Sequence, residues 1–284
     1  MKKWITVAVL VVSIVCFTGI AFAGVTQISG VGPFNITKSG SYQLQGNFVT
    51  TNANRTAILV TADNVTIDLN GFAIIGPNVC TGVPLVCNNS GTGIGIDAND
   101  RQNIKVYNGT VRGMGDIGIR TGYGAIIESV RVVSNGGNGI SISGSGTVSG
   151  NTATFNGSHG IAVGNNGTGT VSGNTVTFNG GNGITVFVGT VSGNSVTFNG
   201  GNGIAVIGGT VSGNTVTGNG DNGIAVLSGG TVSGNTVNGN VAHGLSFLGT
   251  STGYVNNVLS NNTGGDVTGG VNLKPNLCSG VLCL

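Results

Sequence analysis

Ionisable side chains are scarce in this 284-residue chain, at 6% Asp, Glu, Lys and Arg. Many fall in one stretch holding Asp97, Asp100, Arg101, Lys105, Arg112, Asp116, Arg120, Glu128 and Arg131. Carboxylates can ligate a hard cation through oxygen or act as acids, and a neighbouring Arg, Lys, His or Asp can serve as base. From residue 132 to 265 the only acid is Asp221; there is no Lys or Arg, and the only titrating nitrogens are His159 and His243. That half cannot host such a site alone. Which of these charges can meet depends on the elements that carry them.

The elements are written as a repeat. "FNGGNGIAVIGGTVSGN", residues 198–214, recurs with small changes. Aligning on the Gly before each "I-x-V/I" triplet gives Gly93, Gly118, Gly139, Gly160, Gly183, Gly203, Gly223 and Gly244. From the Thr of "TVSGN" to the next such Gly the spacing is constant, so length variation is confined to the turn between "GIxV" and "TVSG". Ile and Val alternate with small polar residues at a period of two, which predicts three short strands per repeat. Strands this short find backbone partners only in the repeats above and below, about 4.8 Å away. The predicted fold is all-β: a single-stranded parallel β-helix with three short strands per rung and rungs of about 20–25 residues.

Stacking places like on like. Asn151, Asn174, Asn194, Asn214 and Asn235 occupy one column, and Asn135, Asn156, Asn179, Asn199, Asn219 and Asn240 a second. Buried amide columns can bond along the axis. Phe155, Phe178 and Phe198 are expected as an inward aromatic stack. His159 and His243 stand in the column of Asn138, Asn182, Asn202 and Asn222 and read as turn fillers. Four rungs of about 4.8 Å separate them, too far for one metal. Asp221 shares a column with Gly181 and Gly201 and reads as a solvated turn residue.

Lys2 and Lys3 precede an apolar run from Ile5 to Ile20 that closes on Ala21-Phe22-Ala23, the pattern of a secretory signal over residues 1–23. The mature chain is expected to begin at Gly24, with no membrane span, and to be secreted, extracellular or periplasmic. Without Lys2 and Lys3, basic and acidic residues balance, leaving no basic field for nucleic acid. In an oxidising compartment the remaining cysteines favour two local disulfides, Cys80 with Cys87 and Cys278 with Cys283.

From "NVTIDLNGFAIIG" at 64–76 to about residue 262, the chain resembles the right-handed parallel β-helix family of pectate-lyase-like fold, with carbohydrate-binding and sugar-hydrolase-type repeats. The resemblance implies the handedness. It also implies a cap over residues 24–62, a β-helix over 63–264 and a disulfide-closed cap over 265–284. In lyases of the family the first-strand face carries calcium and the base. That makes Asp97, Asp100 and Asp116 the metal candidates and Arg120 the catalytic candidate, with calcium as cofactor only in that case. The family's paired-Asp hydrolase signatures are missing from the sequence. The leading expectation is a non-catalytic β-helix that needs no cofactor and binds polysaccharide or cell-surface glycan, or builds surface structure. The alternative is a calcium-dependent polysaccharide lyase or uronate epimerase. A minor alternative is an ice-binding solenoid, from the outward rows Thr152/Thr154, Thr175/Thr177, Ser195/Thr197 and Thr215/Thr217.

Overall fold

The computed structural model describes residues 24–283; the expected signal segment, residues 1–23, lies outside the described residues. Within them there is no helix, and strands stack in parallel as a solenoid with three faces. The first face aligns Ile96, Ile119, Ile140, Ile161, Ile184, Ile204, Ile224 and Leu245. The second aligns Val148, Val171, Val191, Val211 and Val232, and the third Val176, Val196, Val216 and Val237. All of these are fully buried. Three β-branched columns thus converge on the axis, because alternation sends every second side chain inward and the pleat suits branched residues.

The expected cap region is itself coiled. Strand Phe34–Ile36 pairs with Ile58–Val60 on the first face, and Thr26–Ile28 with Gly40–Leu44 on the second. At the other end, Leu277–Cys278 adds the last parallel strand and then turns back antiparallel onto Val281–Leu282. Disulfides join Cys278 to Cys283 and Cys80 to Cys87.

Both amide columns are hydrogen-bonded ladders. Asn194 Nδ2 donates to Asn214 Oδ1 at 2.9 Å and to the Val171 and Ser192 carbonyls, while its Oδ1 accepts from Asn174 Nδ2 and N–H, each at 2.9 Å. The first ladder runs on through Asn257 to Asn276 and the second to Asn262. At their lower ends, Asn151 and Asn135 accept from the amides of Val130 and Met114, so no rung leaves the column unpaired there.

Two expectations are corrected. The first-face column runs through Gly95 and Ile96 rather than Gly93 and Ile94, since Ile96 pairs with Ile119. A two-residue slip keeps every side chain on its own side, and Ile94 is buried as well, so alternation could not separate the two registers. The Phe stack faces outward. Phe155, Phe178 and Phe198 each have φ of 54°, and Phe198 is 54% exposed. A left-handed residue interrupts the in-out alternation, turning the following Asn inward and the Phe out. The rings still stack, with centroids 5.2 and 5.3 Å apart. Beside them lies a hairpin of Val79–Thr81 and Val86–Asn88, whose tip at Val83, Pro84 and Leu85 lines one surface cleft with Phe178 and Phe198.

Candidate functional site

The charged residues divide among the three faces. Lys105 and Glu128 pair at 2.6 Å on the second face, and Arg112 and Arg131 project from the third. On the first face Asp97 and Arg120 are neighbours in adjacent rungs. Arg120 Nε donates to Asp97 Oδ1 and its Nη2 to Asp97 Oδ2, both at 2.9 Å, a two-pronged pairing that suits a planar guanidinium. Asp116 lies in the turn leading to Arg120; partial burial raises its carboxyl above the usual range, against the lowering pull of Arg120. Asp100 stands at φ of 60° where the register of the strand Ile96–Gln102 shifts, and its Oδ2 accepts from Asn99 at 3.0 Å.

This is a coupled corner, and its carboxylates do not fit a calcium set. Both Asp97 oxygens are engaged by Arg120, and among the described residues no three His, Cys, Asp or Glu side chains are grouped to hold a metal. A cation site needs oxygens free to converge on one point. The guanidinium is likewise committed, its bonds to Asp97 holding the positive form.

Directly above this corner the first face is concave. A groove of about 330 Å³ extends over successive rungs, floored by Ser141, Ala162, Thr185 and Ala205. These are the outward residues of the "GIxV" strands, and their small size keeps the floor low. One wall is apolar: Phe187 and Ile207, within the strands Ile184–Ser192 and Ile204–Ser212, and Leu227, just after Ile224–Val226, stand at equivalent places between "GIxV" and "TVSG". Phe187 is 40% exposed and Leu227 49%. The other wall is polar and begins with Asn138 and His159.

That polar wall is a third ladder. His159 N–H donates to Asn138 Oδ1 at 3.0 Å, and Asn182 N–H donates to His159 Nδ1 at 2.9 Å. Asn202, Asn222 and His243 continue it through their backbone amides. His159 therefore fills a turn as an acceptor. Burial lowers its pKa, and a proton on Nδ1 would face the Asn182 amide donor. Apart from His159 the groove residues escape a search for ionisable groups, yet the sequence carries a signal for its apolar wall: "VFV", "VIG" and "VLS" add an apolar residue just where alternation calls for a polar one.

The model of the right handed beta helix region family matches residues 29–189 and 92–242, and the chain belongs to that family. No curated protein matches it in sequence. Among solved structures it is similar to the A-module of mannuronan C-5 epimerase AlgE4 from Azotobacter vinelandii, at 15% identity and TM-score 0.56 over 87% of this chain and 89% of that one. It is also similar to a mutant form of the periplasmic alginate epimerase AlgG, at 16% identity and TM-score 0.62, covering 86% and 70% of the two chains. The Dettilon tailspike protein aligns at 16% identity and TM-score 0.58 over 88% of this chain and 61% of its own. At these identities the likeness is one of fold.

Proposed function

We propose that the protein is a non-catalytic glycan-binding β-helix working in the periplasm or outside the cell, with the first-face groove as its binding site. The observation that carries this reading is the groove's two-sided chemistry. Sugars have apolar C–H faces and polar hydroxyl edges, and the groove sets Phe187, Ile207 and Leu227 opposite Asn138 and His159 over a floor of small residues. Its length along the axis suits a chain rather than a single sugar. Two disulfides suited to an oxidising compartment agree with its location, and fold likeness to proteins named for alginate epimerisation agrees with a glycan ligand but not with either its charge or the lack of catalysis. The test is a glycan array followed by titration of the ligands found. Phe187→Ala is expected to weaken binding about tenfold, the loss of about 1.4 kcal/mol of apolar contact, with its melting temperature unchanged. No glycan binding at high protein concentration would remove the reading.

The second reading is a lyase or epimerase centred on Arg120, favoured by the half-buried Asp116 beside it. With Arg120 tied to Asp97, incubation with pectate, alginate and chondroitin in calcium is expected to yield neither unsaturated product by ultraviolet absorbance nor epimerised residues by proton NMR. Turnover on any of the three would reverse the order of the two readings. The Thr rows do not favour an ice-binding surface: Thr197 Oγ1 bonds Thr177 Oγ1 at 3.0 Å, and Arg131 continues the row below Thr152.

A further inference from the structure

The glycan-binding reading leaves open which sugars the groove accepts, and the groove's own charge answers it. We infer that the ligand is a neutral polysaccharide, and that the site discriminates against polyuronates; this rests on the groove being the glycan site. Every side chain lining it is uncharged, from Asn138, Ser141 and Ser143 through Thr185 to Phe187 and Leu227. The one titratable member, His159, accepts the Asn182 amide at Nδ1, and burial lowers its pKa, so it offers the groove no dedicated cation. A polyuronate carries a carboxylate on every sugar, and each one drawn into a partly desolvated groove without a cationic partner loses hydration that nothing replaces.

The lower end of the groove adds repulsion. Arg120 and Asp97 neutralise one another there, which leaves Asp100 and Asp116 against Arg101. An approaching anionic chain thus meets excess negative charge at the mouth and no cation along the floor. A neutral pyranose meets hydroxyl partners on one side and C–H contacts on the other.

The experiment compares polymers that share a backbone and differ in charge: polygalacturonate against its fully methyl-esterified form, and alginate against its carboxyl-reduced form, by affinity electrophoresis and calorimetry with the intact protein, alongside a panel of neutral glycans. The neutral member of a pair is expected to bind about tenfold or more tightly than its acidic parent. That binding is expected to hold between about 0.05 and 0.5 M NaCl, since no ion pair is there to be screened. Thr185→Lys, which puts a cation on the floor, should narrow or reverse the preference, and Ser141→Lys provides the same change two rungs lower should the first variant fold poorly. Native protein that binds the acidic parent as tightly or more tightly overturns the neutral assignment. If Phe187→Ala abolishes that acidic binding, the groove remains the glycan site. Protein that binds neither the polymers nor any neutral glycan overturns both.

Discussion

Asn194→Ala is expected to destabilise the protein by about 3 kcal/mol, the upper end of what an unsatisfied buried amide costs. The change removes the acceptor for Asn174 N–H and Nδ2 together with the donor to the Val171 carbonyl, all in a buried column. Asn174 Nδ2 keeps its bonds to the Val148 and Ser172 carbonyls, but its backbone amide is left facing a methyl group. Thr197→Ala, three residues further on, should cost about 0.5 kcal/mol, because its hydroxyl bonds only Thr177 at a partly exposed site. Thermal melts followed by circular dichroism compare the two. Equal shifts would contradict the ladder.

The second large effect separates two glycines of the same repeat. A Cβ at Gly203 would collide with Val216 Cγ1 and come within 2.7 Å of the Gly223 carbonyl oxygen and Asn219 Nδ2. Two of these are the backbone and the ladder amide of the next turn, so neither can yield alone. Gly203→Ala should therefore cost about 3 kcal/mol or more, as overpacking of a close-packed interior does. Gly213 has φ of 63° and open space around its Cβ position. The equivalent place in other rungs holds Asn108, Ser129 and Asn256 at φ of 61°, 53° and 56°. Gly213→Asn should thus cost under about 1 kcal/mol, Asn being the side chain that best tolerates the left-handed region. The melting temperatures should fall in that order; a Gly213→Asn loss equal to that of Gly203→Ala would place both glycines under one constraint and refute the distinction.

Columns are what a repeat makes visible, and the sequence alone shows the three faces, both amide ladders and the His159 and His243 positions. Stacking prints the same residue type at each rung, so a column can be read without coordinates. The shared face of Asp97 and Arg120 was legible for the same reason. What escaped was whatever departs from alternation or runs across it. Phe155, Phe178 and Phe198 sit at even spacing from buried valines, and only the left-handed backbone at each shows that they point out. The hairpin at 79–88 lies beside the turns of later rungs and obeys no repeat. The groove was hidden because its floor, its apolar wall and its polar wall come from different columns, and its one ionisable member, His159, reads as a turn filler.

Ile184, Ile204 and Ile224 are separated by the same number of residues, as are Val176, Val196 and Val216. A segment of that length can be duplicated or lost in frame while every remaining residue keeps its column. Length is thereby freed from architecture: unequal exchange between near-identical stretches of coding sequence would lengthen or shorten the molecule like a ruler, one graduation at a time. The cross-section of the groove would stay the same, and only the number of sugar units it spans would change.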